Sequence, residues 1–112
     1  MNDRADKIYN LHADLCKMLA NTTRLKILEE LKDGKKTVSE IVSSVDSSQS
    51  SVSQHLAELR KRDLVNAERK GSNVYYSISN PKIIDACDKM KEVLFEQLSK
   101  NKELVERGDM YE

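Results

Sequence analysis

Between residues 37 and 79 the apolar positions of this chain change their period once, and that change leaves few folds open. Over TVSEIVSSV (37–45) and SSQSSVSQHLAELRKR (47–62) they recur every three to four residues, as on helices packed along one side. Over LVNAERKGSNVYYSIS (64–79) they alternate, as on a hairpin with one packed face. Only Asp46-Ser47-Ser48 separates the two helical stretches, so the chain must turn tightly there.

The flanks complete the pattern. A first helix over about 3–19 carries Ile8, His12, Leu15, Cys16 and Leu19 at helical spacing. Asn21 is placed to cap TTRLKILEELKD, and Gly34 to end it. Thr37 and Glu40 fit a capping box, Ser48 fits the cap of the next helix, and Lys70-Gly71-Ser72 makes the hairpin turn. Asn80-Pro81 reads as cap and first residue of a last helix, whose Ile83, Cys87, Met90, Leu94 and Leu98 lie close to a seven-residue seam. Such a seam suits a partner helix. The expected fold is therefore mainly α with a small β-hairpin: four helices, two strands and a closing helix. That is a winged helix-turn-helix, dimerising through its first and last helices. Residues 1–100 form the domain with its dimerising helices, and 101–112 a charged tail that frays from about Ser99.

With 112 residues there is room for one core. No apolar run approaches the ~18 residues of a membrane helix, so the chain is expected to be cytoplasmic, without a membrane partner. Two cysteines 71 positions apart are too few for a secreted disulfide framework. No combination of nucleophile, base and orienting group points to an enzyme, and no cofactor is implied. Formal net charge is zero, which argues against coating nucleic acid by bulk charge. Locally the balance differs: residues 47–76 carry five basic and three acidic side chains.

On a helical wheel Val52, Leu56 and Leu59 point inward, while Ser50, Gln54 and Ala57 point away, flanked by Ser51 and Ser53. A small face that both donates and accepts hydrogen bonds can enter a major groove about 12 Å wide and touch base edges. Ser50, Ser51 and the helix amides can instead meet phosphates. Arg60 at the far end, and Arg69 and Lys70 on the wing, suit backbone contacts. His55, at the edge of the buried face, reads as a partly packed, hydrogen-bonded side chain, and it borders the same surface. The competing reading is a dimeric interaction module with a solvated serine face, because helix-turn-helix units also serve as scaffolds.

LANTTRLKILEELKDG, TVSEI, SSQSSVSQHLAELRKRDLV and ERKGSNVYYSIS together resemble the arsenic-repressor (ArsR/SmtB) family of transcriptional regulators, over about residues 15–85. The resemblance implies a homodimeric repressor that binds an inverted-repeat operator in double-stranded DNA and lets go when an effector binds or a thiol reacts. It places recognition contacts on Gln49, Ser50, Ser51, Ser53 and Gln54, with Arg69 and Lys70 on the wing. The family's usual metal positions are not filled. SEIVSSV lacks cysteine, and the last-helix positions hold Asn80, Lys82, Val93 and Glu96, so no metal site is expected. Cys16 and Cys87 remain as the sensor candidates, on the two helices expected to pair. Family members that sense persulfide or oxidants use two thiols, but their first lies near this chain's Glu29. An oxidant, persulfide or polysulfide is the expected effector, with a thiophilic metalloid or soft metal as the alternative, or inert core cysteines.

Overall fold

The computed structural model describes residues 3–106, with side chains as far as residue 102. The chain falls into two units, residues 1–80 and the helix that follows from Pro81. The first holds α1 (Asp3–Leu19), α2 (Thr22–Leu31), β1 (Lys36–Thr37), α3 (Val38–Ser44), α4 (Gln49–Lys61), β2 (Val65–Lys70) and β3 (Asn73–Ile78); α5 (Lys82–Glu106) is the second.

Local chemistry sets the boundaries. The Asn21 side chain accepts from the Arg24 amide, Thr37 and Glu40 close a reciprocal capping box, and Ser48 accepts from the Ser51 amide. Each cap satisfies an amide that the first helical turn leaves unpaired. The end of α4 is equally defined. The Asp63 amide donates to the Arg60 carbonyl and the Leu64 amide to Leu59, both at 3.0 Å, with Asp63 left-handed at φ 57°. These two bonds make a Schellman motif, and buried Leu64 supplies its apolar contact. An L-residue is strained in that conformation, so Asp63→Gly is expected to stabilise the fold by about 0.5–1 kcal/mol. Urea unfolding checks it; a midpoint shift downward would show that the Asp63 side chain contributes more than its backbone costs.

The core of the first unit draws Ile27, Leu28 and Leu31 from α2, Ile41 from α3 and Val52, Leu56 and Leu59 from α4. Met18, Val45, Leu64 and Val65 close it. Helix α4 packs on α2, α3 and β2, so three elements fix its orientation.

The sheet has one more strand than the expected hairpin. Its order is β1-β3-β2, antiparallel throughout, with Lys36 opposite Tyr76 and Thr37 opposite Tyr75. Two residues are too few to show alternation; β1 exists because its surroundings hold it. Lys36 reaches Glu30 of α2 at 2.8 Å, and this bond, opposed in part by burial and helped by Ser44, holds the Glu30 carboxyl below its ordinary value.

Helix α5 begins at Lys82, one residue later than expected, because the Pro81 carbonyl accepts from the amides of Ile84 and Asp85. It extends to Glu106 rather than stopping near Ser99, over a run of Lys, Glu, Leu and Val in which helix formers predominate. The rest of the expected tail lies outside the described residues. Met90, Val93, Leu94, Phe95 and Leu98 are exposed on α5, as are Ile8, Tyr9 and Leu11 on α1. No helix among the described residues is long and apolar enough to cross a membrane.

Candidate nucleic-acid interface

Helix α4 divides cleanly into two sides. Val52, Leu56 and Leu59 have no exposed surface, while Gln49, Ser50, Ser53, Gln54 and Ala57 are open to solvent. Ser51 and His55 are half-buried between the two sides. The open side carries no charge over its first two turns, where every polar group has a short side chain or an amide; Glu58, part-exposed and 3.2 Å from Lys61, is the first charge beside it. Ser48 Oγ lies 3.4 Å from Ser50 Oγ, so the first turn presents a cluster of hydroxyls.

His55 is tied down from behind. Arg24 Nε of α2 donates to His55 Nδ1 at 3.0 Å, and Arg24 Nη1 donates to the Met18 carbonyl of α1 at 3.2 Å and to the Met18 sulfur. Since Nδ1 accepts, the neutral ring carries its proton on Nε2. One residue earlier, Thr23 Oγ1 lies 3.3 Å from Ser47 Oγ in the turn before α4. The first turn of α2 therefore grips the recognition unit at two points. This partner is 31 positions away in sequence, and nothing local to His55 announces it.

Burial, and then the Arg24 charge, holds His55 below the usual 6.5 of a histidine. The lowered value fixes the sign of a pH effect. Protonation would set a second N–H against the Arg24 donor, so the contact is whole above about pH 6.5 and is lost as pH falls through the lowered folded value. Wild type is expected to lose stability from pH 7 to 5 relative to His55→Gln, measured by urea unfolding at each pH. Parallel curves for the two proteins would remove this role from His55.

On the wing, Arg69 pairs with Val74 and Lys70 with Asn73, and both basic side chains are exposed. Gly71 turns the hairpin at φ 63°. Neighbours in a strand face opposite ways, so Arg69 and Lys70 serve different sides of the ribbon. A third cation joins them. Lys35, just before β1, stands 5.5 Å from the Tyr75 ring centroid, and the nearby Lys70 ammonium pushes it below the ordinary lysine range. Lys70 in turn is 3.9 Å from Glu68. Lys35 was invisible in sequence because the strand that brings it to the wing was itself unexpected.

A shallow depression of about 580 Å³ joins the wing to the helices, lined by Thr37 of β1, Val38–Glu40 of α3, Gln49 of α4 and Ser72–Tyr75. It brings Gln49 together with the hairpin. Ser53 and Gln54 lie further along the open side of α4, and Arg60 marks its far end. Of the two cysteines, Cys16 is exposed on the α1 stripe that also carries Ile8, four and eight residues apart through His12. Cys87 is half-buried on α5.

Comparison with known proteins agrees with this geometry. The family model for bacterial regulatory proteins of the arsR family matches residues 21–67, from the cap of α2 into β2. A helix-turn-helix transcriptional regulator of Mycobacterium tuberculosis, Rv0081, is 36% identical over 96 residues, covering 85% of this chain and 84% of that protein. Its crystal structure superposes with a TM-score of 0.76 over 84% of this chain and 95% of the other. The transcriptional activator HlyU of Vibrio cholerae is 42% identical over 69 residues, 62% of this chain; the match spans 64% of HlyU, under two thirds of its length. The homodimeric winged helix-turn-helix DNA-binding domain Mb0332 of Mycobacterium bovis is 29% identical at a TM-score of 0.78, over 89% of this chain and 93% of that one. With a small polar helix face, a basic wing and relatives matched along most of its length, the chain belongs to the arsR family of bacterial regulatory proteins, which are DNA-binding transcriptional regulators and not enzymes.

Proposed function

We propose that the chain is a cytoplasmic homodimeric repressor that binds an inverted-repeat operator and releases it when Cys16 and Cys87 react. The division of α4 into a fully buried apolar side and an open, uncharged hydrogen-bonding side carries the DNA reading. Gln49, Ser50, Ser53 and Gln54 meet base edges, Ser51 and the first-turn amides meet phosphate, and Arg60, Arg69 and Lys70 hold the backbone. His55, fixed by Arg24, borders this surface as a positioned Nε2–H donor.

Dimerisation is supported by the apolar side chains that α1 and α5 each leave open; Tyr9 is 72% and Met90 71% exposed, an arrangement a lone chain does not tolerate well. In the dimer two copies of α4 would face successive major grooves about 34 Å apart. Pairing doubles the local basic excess, so a chain of zero net charge can still hold DNA.

For release, two thiols give up two protons and two electrons to a peroxide or polysulfide, which is reduced, and a sulfur bridge forms. Cys16 stands on the exposed stripe of α1 and Cys87 on α5, so a bridge would constrain the helices that carry the dimer contacts. Binding is tested by fluorescence anisotropy against the gene's own upstream region and against random duplex. A preference for the former, with an affinity that falls steeply as salt rises, supports the reading; equal affinity would favour an interaction module. If polysulfide still releases DNA from Cys16→Ser and Cys87→Ser proteins, the thiol switch fails and DNA recognition stands.

A further inference from the structure

A second concavity lies away from the α4 front. Helix α1, the first turn of α2 and the C-cap of α4 surround an open pocket of about 270 Å³, lined by Asp14, Lys17, Met18, Arg24 and Arg62. Three cations from three separate helices thus face one space, against a single carboxylate. Among the described residues, Lys17 and Arg62 take part in no ion pair. Arg24 uses Nε on His55 and Nη1 on Met18, which holds its guanidinium plane at the pocket wall and leaves Nη2 uncommitted. Three converging cations outnumber the one carboxylate, Asp14, and so leave net positive charge for an anion with several oxygens, each of which accepts a charge-assisted bond. The volume falls just below the ~300–1,000 Å³ of drug-sized ligand sites, so the occupant is small. The apolar share of the lining is one side chain, Met18, too little for a hydrophobic ligand.

We propose that Lys17, Arg24 and Arg62 form a binding site for a phosphate-type oxyanion. The anion is either free in solution or a backbone phosphate of bound DNA; the second source rests on the DNA reading above, the first does not. An occupant of this pocket would touch the same arginine that holds His55, so its arrival is readable at the recognition helix.

The free source is tested on the full chain without DNA. Inorganic phosphate replaces chloride at constant ionic strength while the His55 ring signals are followed by NMR. A saturable shift is expected in wild type and in Lys100→Ala, with affinity at least roughly tenfold weaker in Lys17→Ala/Arg62→Ala. Both replaced side chains are exposed, so the fold does not depend on them, and unchanged far-UV circular dichroism verifies this. The DNA source is tested by the salt dependence of operator binding. If the pocket takes backbone phosphate, the double variant lowers the log–log slope by about 1. A phosphate response lost in the double variant supports a free oxyanion, and a reduced slope supports a DNA phosphate. An unchanged slope together with no specific phosphate response overturns the proposal, and operator affinity of the wild type reports separately on the DNA reading.

Discussion

Gln54→Glu is expected to abolish specific operator binding while leaving the folded protein intact. The substitution keeps size, shape and helix propensity, and Gln54 is exposed, so the core does not register it. What changes is one charge, at the centre of a face whose nearest carboxylate, Glu58, is already held by Lys61 at 3.2 Å. A carboxylate inserted between two phosphate chains meets repulsion of several kcal/mol, so affinity should fall by about 100-fold or more. The effect acts on every sequence, as loss of a wing lysine would, and higher salt recovers only part of it because the groove is partly desolvated. Anisotropy titration, alongside thermal unfolding of the free protein, reads both halves. Retention of wild-type affinity would place the groove contact elsewhere than on the open side of α4.

Leu56→Ala should be the most destabilising single truncation of α4. Leu56 has no exposed surface, and α4 is packed by α2, α3 and β2 at once, so the cavity has rigid walls and little freedom to collapse. A loss of about 3–4 kcal/mol is expected, a large part of the ~5–15 kcal/mol that a domain has in total. Urea unfolding with the slope checked for constancy gives the value. A loss under 1 kcal/mol would mean that the pocket closes around the gap. DNA affinity should fall only in proportion to the unfolded fraction, which separates this variant from Gln54→Glu.

These two residues sit next-but-one on the same helix, and the side each occupies is legible in sequence because helical spacing assigns it without any knowledge of the partner. The caps were legible for a similar reason. Asn21, Thr37 and Ser48 act on amides three residues away, so the whole interaction lies in a short window. Long-range pairings were not. Strand β1 has two residues and no period of its own; it is created by Tyr75 and Tyr76 nearly forty positions on, and with it came Lys35. Arg24 likewise has no sequence signal of its own, since its contacts with His55 and Met18 arise only from the fold. The end of α5 lies beyond Ser99, at Glu106, because the charged residues there include lysine and glutamate, which are good helix formers. Cys16 reads in sequence as one of an apolar stripe, and that stripe is open to solvent in the single chain.

The uncharged front of α4 and the cations of the wing separate two properties that a single basic helix would combine. In the proposed complex, occupancy of DNA would depend on Lys35, Arg69 and Lys70, which would meet every duplex alike, whereas the choice of site would depend on hydroxyls and amides that discriminate among bases. A lineage carrying this fold can therefore change its target by exchanging Ser50, Ser53 or Gln54 and leave its grip alone. It can also retune its grip to the salt of its cell through the wing, and keep reading the same sequence.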